Sequence, residues 1–91
     1  MIRKSLVIHP EDTVAVLLEN AFRGDTIQIS DGEITLLQDV EFAHKVSISD
    51  HEKGQFVYKY GHEIGYMAVP VPKGTWIHSH NMLCDRGRQE K

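Results

Sequence analysis

A small, mostly β domain is what this sequence predicts, on three observations. Apolar runs are short and rich in β-branched residues, as in Val14-Ala15-Val16-Leu17 and Phe56-Val57; turn residues recur between them; and no segment has the length of a stable amphipathic helix. Its 91 residues make one domain, and a chain of that size buries only somewhat above ~60% of the surface its unfolded form exposes. A deep private active site is therefore not expected. Apolar residues at 41% and charged residues at 25% suit a packed globular chain rather than a disordered one.

The expected strands, in order, are 5–8, 13–18, 26–29, 34–37, 45–49, 56–59, 63–69 and 75–78. Between them Arg23-Gly24-Asp25, Ser30-Asp31-Gly32-Glu33, Glu52-Lys53-Gly54-Gln55 and Pro72-Lys73-Gly74-Thr75 each offer a glycine where a positive φ costs little. At most one or two short helical turns are expected, at 17–21 and at 49–52, where Ser49 and Asp50 are capping residues. Gly61 and Gly65 should bracket a tight hairpin, with Tyr58 and Tyr60 packing on one face and their hydroxyls at the surface. A Lys-Gly turn feeding a new strand occurs at Lys53-Gly54 and again at Lys73-Gly74, a weak internal echo suited to a pseudo-symmetric β fold. The domain is expected to span 1–82, followed by a charged tail at 83–91.

A formal charge of −3 and the lack of a basic stripe with interleaved aromatics argue against nucleic acid. Arg86, Arg88 and Lys91 make a basic cluster that a solvated terminus explains. No run has the apolar length of a membrane span, and the apolar stretch after Arg3 and Lys4 is too short for a signal peptide. The lone cysteine, Cys84, excludes an internal disulfide and fits a cytoplasmic protein; its role stays open.

The most informative run for chemistry is Trp76-Ile77-His78-Ser79-His80-Asn81. If extended, it places His78 and His80 on one face with backbones roughly 7 Å apart, so that two imidazoles converge on one ion or anion. Spacing alone leaves a second reading open, two exposed histidines near a terminus, because a metal site needs three or four ligands. Lys45 at a strand entrance is either a solvated edge residue or the partner of a carboxylate, and Lys59 is a second candidate cation. Templates for a serine nucleophile, a phosphate-cradling loop or paired Cys-x-x-Cys motifs are missing from the sequence.

Taken in order, Asp12-Thr13-Val14-Ala15-Val16, Ala43-His44-Lys45-Val46-Ser47-Ile48, Lys59-Tyr60-Gly61-His62-Glu63-Ile64-Gly65 and Gly74-Thr75-Trp76-Ile77-His78-Ser79-His80-Asn81 resemble the N-terminal SAF domain of the altronate and galactarate dehydratase family, from about residue 5 to residue 82. No single piece is specific; the four in sequence carry the resemblance. It implies a β-clip fold of bent hairpins folded over one another. It also implies a hydro-lyase that removes water from a sugar acid of altronate or galactarate type, using Fe2+ or Mn2+, at a site completed by a large catalytic subunit or domain. A related two-subunit branch cleaves sulfite from sulfolactate, and SAF-like domains also serve as stand-alone carbohydrate- or ligand-binding modules. By matched motif, His78 and His80 would be the catalytic or metal-holding pair, and Asn81 would hydrogen-bond a hydroxyl or carboxylate. Lys45 or Lys59 would meet a carboxylate, with His44 supporting them at the substrate. Because the chain stops soon after His-x-His-Asn, it resembles the family's separate small subunit or an excised N-terminal domain, inactive alone; its charged tail departs from the family's continuation. An exposed apolar patch is expected for docking, and without the partner the chain would self-associate into a homo-oligomer through it.

Overall fold

The β-branched runs become strands. In the computed structural model, which describes residues 1–30 and 32–84, there are ten of them and no helix: β1 (Ile2–Arg3), β2 (Ser5–Leu6), β3 (Val14–Leu17), β4 (Thr26–Ile29), β5 (Gly32–Thr35), β6 (Lys45–Ser47), β7 (Phe56–Lys59), β8 (His62–Met67), β9 (Trp76–Ile77) and β10 (Met82–Leu83). They form three small sheets, ordered β1-β4-β5, β10-β8-β7 and β2-β3-β6-β9. All pairings are antiparallel except β1 on β4.

The sheet β2-β3-β6-β9 positions everything else. Its register pairs Ala15 with Val46 and Val46 with Trp76, so these residues share one face; Val14, Lys45 and Ile77 share the other. Each face has its own core. On the first, Ala15, Leu17 and Val46 pack with Ala21, Ile27, Ile34, Leu36 and Val40; on the second, Val14 and Ile77 pack with Val57, Met67 and Val71. A sheet covered on both faces needs apolar residues without alternation, which is why β3 reads Val-Ala-Val-Leu. Full burial of a side chain such as Leu17, Ile27 or Ile77 contributes about 1.5–3 kcal/mol.

One turn module recurs four times and sets the strand starts. Ala21, Val40, His51 and Val71 are bridge residues; three positions after each comes a positive φ, at Gly24 (90°), Ala43 (73°), Gly54 (84°) and Gly74 (93°); two positions later β4, β6, β7 and β9 begin. The bridges close in pairs, Ala21 with Val40 and His51 with Val71. The Lys-Gly echo is therefore half of a larger pattern. Ala43 hides the second copy from the sequence, because only its backbone shows that it fills a glycine slot.

Neither segment read as a helical turn becomes one. Residues 17–21 end β3 and close the Ala21 bridge, while Asn20 spends its side-chain oxygen on the Phe42 N–H, 2.9 Å away. Residues 49–52 place His51 in its bridge. Leu83, at the start of the expected tail, pairs with Tyr66, and residues 85–91 lie outside the described ones. Gly65 lies within β8, where a Cβ would run into the carbonyl oxygen of Leu83 on β10.

Candidate functional site

β6 and β9 assemble the site at one end of the β2-β3-β6-β9 sheet. Pairing Lys45 with Ile77 sets His44 beside His78 just past the last register pair, and the two imidazoles meet edge to face, centroids 5.4 Å apart. Trp76 organises the group. Its indole N–H donates to His44 Nδ1 at 3.1 Å, while its ring lies 5.4 Å from His78 and 4.7 Å from His80. An indole N–H can only donate, so His44 Nδ1 carries a lone pair, and the neutral ring is protonated at Nε2, 3.9 Å from Glu41. Trp76 also packs on the first core, which anchors the cluster to the rigid part of the fold.

His78 and His80 do not lie on an extended strand. β9 stops at Ile77, and residues 78–81 turn, with Asn81 N–H on the His78 carbonyl at 3.0 Å. The period-two argument for a shared face therefore fails here, and the two rings gather on Trp76 by a turn instead. Asn81 builds that turn. It is 4% exposed, its Oδ1 accepts the His78 N–H at 3.0 Å and its Nδ2 donates to the Trp76 carbonyl at 2.9 Å. Such a side chain is engaged by the backbone rather than turned outward.

Lys45 and Lys59, 14 positions apart in the numbering, come close enough for their charges to repel. Burial first, then the Lys59 charge, pushes the Lys45 ammonium below the usual lysine range. His78 is also lowered, first by burial, then by the Lys45 charge and by His44 and His80 in their charged forms, which favours its neutral form. Two lysine charges that repel one another beside imidazoles are suited to an anion. Lys59 Nζ sits 5.0 Å over the Tyr60 ring.

Among the described residues, no three His, Cys, Asp or Glu side chains are grouped to hold a metal ion. The divalent ion implied by resemblance thus finds at most part of a coordination sphere here. No helix among the described residues is long and apolar enough to cross a membrane.

Three residues that sequence reasoning passed over shape the site. Trp76 was legible only as part of a motif. Tyr60, read as a packing residue on a strand, occupies the β7–β8 turn, with φ of 58° followed by 78° at Gly61, the two positive values of a type I′ hairpin. Asp12 is 7% exposed; its Oδ1 accepts the Gly61 N–H at 2.8 Å and its Oδ2 the His9 N–H at 3.1 Å. Burial alone would raise its carboxyl, but N–H groups of Gly61, His9, Tyr60 and Ile8 outweigh it and hold the group below the usual carboxylate range. Asp12 thereby ties the Lys59 hairpin to the N-terminal segment.

Comparison with known proteins now bears on this cluster. Residues 3–85 match the family model for the altronate/galactarate dehydratase SAF domain. The altronate dehydratase of Escherichia coli K12 is 39% identical over 74 residues, 81% of this chain and 15% of that enzyme. The galactarate dehydratase (L-threo-forming) of the same organism is 31% identical over 71 residues, 77% of this chain and 13% of that enzyme. The altronate dehydratase of Bacillus subtilis 168 is 27% identical over 74 residues, again 81% of this chain and 15% of the relative. The chain thus spans about one seventh of the length of these enzymes, and within that span it belongs to the altronate/galactarate dehydratase SAF domain family.

Proposed function

We propose that this chain is the SAF part of a hydro-lyase acting on a sugar acid of altronate or galactarate type, working with a larger catalytic subunit or domain. The observation that carries the reading is the meeting of His44 and His78 edge to face at one sheet end, beside Lys45, whose charge and that of Lys59 repel. The names of the matched enzymes supply the reaction class.

Dehydrating a hydroxy acid requires removal of the proton beside the carboxylate, stabilisation of the enediolate and protonation of the departing hydroxyl. In this reading Lys45 and Lys59 hold the carboxylate. His78, kept neutral, accepts or relays a proton. His80, exposed at the rim on Trp76, donates to the leaving hydroxyl. Asn81 holds both histidines by fixing their turn. The Fe2+ or Mn2+ of the family is assigned to the larger body, and none of these steps runs through it.

Docking has a natural surface. Leu18, Phe22, Leu37 and Phe42 are 44%, 51%, 47% and 60% exposed, on segments that the Ala21–Val40 bridge holds side by side. A dehydratase assay on altronate and galactarate, with ferrous or manganous ion, tests the proposal when run on this chain, on its large partner and on the mixture. Activity confined to the mixture, and lost at least tenfold on His80→Ala with the fold intact, is expected. Turnover by the partner alone at the full rate would refute the shared site.

A further inference from the structure

Tyr60 occupies a place that the fold would fill better with another residue. The first central position of a type I′ turn favours Asn, Asp or Gly, and a bulky side chain at φ of 58° is strained. Its ring does little for the core, since Tyr60 is 45% exposed and belongs to neither buried cluster. Instead the ring lies under Lys59 Nζ, 5.0 Å from the centroid. The turn itself is held firmly, because the buried carboxylate of Asp12 takes the N–H of Gly61 at 2.8 Å and that of Tyr60 as well. A strained residue, clamped from below and spread beside a lysine whose charge repels that of Lys45, has the layout of a ligand contact.

We infer that Tyr60 is a substrate-contacting residue of the Lys45–Lys59 site. Its ring steadies the Lys59 ammonium and its phenolic hydroxyl hydrogen-bonds a hydroxyl or carboxylate oxygen of the bound sugar acid. The inference rests on the sugar-acid reading above and names a specificity residue that reading did not contain. A tyrosine hydroxyl suits a polyhydroxy acid better than a bare short carboxylate, because it offers one donor and one acceptor to a chain of hydroxyls.

Asparagine and glycine tolerate the left-handed conformation, so Tyr60→Asn and Tyr60→Gly should fold with an unchanged or higher melting temperature. That separates function from architecture: a residue kept for structure would lower stability when replaced, whereas a ligand contact lowers affinity alone. The experiment is a titration of the full 91-residue chain, alone and mixed with its larger partner, with galactarate and with altronate, following the lysine side-chain NMR signals, with galactitol as the uncharged control. Tyr60→Asn is expected to weaken galactarate binding about tenfold at undiminished melting temperature, and Tyr60→Phe to give a smaller loss by keeping the ring over Lys59. A Tyr60→Asn chain that binds galactarate within twofold of the parent overturns the inference and leaves the sugar-acid reading standing. A parent chain that binds neither acid even when mixed with its larger partner overturns the sugar-acid reading, and the inference with it.

Discussion

His51 stands where the other three turn modules carry Ala21, Val40 or Val71, and replacing it with leucine should make the protein as stable or more so. The imidazole is 2% exposed. Its Nδ1 lies 2.9 Å from both Ser47 Oγ and the Ser49 carbonyl, but its Nε2 is buried without a partner. Leaving such a group unsatisfied costs about 1–3 kcal/mol, while the bond to Ser49 returns about 1 kcal/mol. In His51→Leu the Ser49 carbonyl keeps the Ser47 hydroxyl as donor, so no new orphan is made. The net change at pH 7.5 is therefore between about 0 and +2 kcal/mol. Acid sharpens the test. Burial lowers the His51 pKa, against the opposing effects of the Ser49 carbonyl and Asp50, whereas in the unfolded chain the ring titrates near 6.5. Below about pH 6.5 the unfolded state binds the extra proton, so the parent's stability is full above that pH and falls as pH drops toward the folded value. The parent should lose up to about 1.4 kcal/mol per pH unit more than His51→Leu over that interval. Urea unfolding at pH 7.5, 6.5 and 5.5, followed by Trp76 fluorescence, gives both quantities. A variant more than 1 kcal/mol less stable than the parent at pH 7.5, on the order of one ordinary hydrogen bond, or one with the parent's acid slope, would refute the reasoning.

Three further substitutions probe the scaffold under the site. Ala43→Gly relieves a left-handed alanine, worth ~1 kcal/mol, against the added freedom of the unfolded glycine, so a gain of about 0.5 kcal/mol in urea is expected. Asn81→Ala removes two hydrogen bonds that hold the 78–81 turn and should cost about 2 kcal/mol, with the His78 and His80 ring resonances shifting together in NMR spectra. Asp12→Asn can satisfy only one of the two N–H groups on Oδ1 and Oδ2, costing about 1–3 kcal/mol. Because the folded Asp12 carboxyl is lowered, the stability it supplies is present above about pH 3.9 and lost as pH falls through the folded value, so the variant's unfolding curve should flatten in that acid range.

What the sequence disclosed and what it withheld divide along physical lines. Strand identity was legible because Val, Ile and turn glycines act locally, and eight of the ten strands overlap expected segments, although β5 starts at Gly32, inside an expected turn, and ends at Thr35 rather than Leu37. β1 and β10 escaped because Ile2–Arg3 and Met82–Leu83 are strands only through the partners they find, β4 and β8. Lys45, Lys59 and His78 were named as chemistry, but no local pattern could show that they converge; that depends on β6 pairing with β9 and on the β7–β8 hairpin. The shared face of His78 and His80 was a strand argument applied to a turn, and the capping side chain of Asn81 is what made it a turn. Ala43 and Tyr60 were invisible as strained residues, since nothing in an alanine or a tyrosine announces a positive φ.

Those two residues are also the non-glycine positions of positive φ among the described residues, and each adjoins the cationic pair: Ala43 two positions before Lys45, Tyr60 directly after Lys59. Strain of this kind persists only where surrounding contacts over-determine it. Here the contacts are visible, since Ala43 N–H binds the Leu17 carbonyl at 2.8 Å and Asp12 clamps the Tyr60 turn. A sheet buried on both faces leaves its polar side chains nowhere to converge except at its ends. His44 just precedes β6 and Lys45 opens it, and they reach one cluster because β6 begins there and the chain enters it through a left-handed turn. A site made in that way is fixed on its inner side by Trp76 and Asn81 and open on its outer side. Turnover should therefore respond to changes in the turn modules even where no side chain is exchanged at the cluster: Ala43→Gly, while raising stability, should loosen His44 and Lys45 and raise the KM for the sugar acid in the mixture with the larger partner. An unchanged KM would mean that the left-handed entry is a folding feature alone.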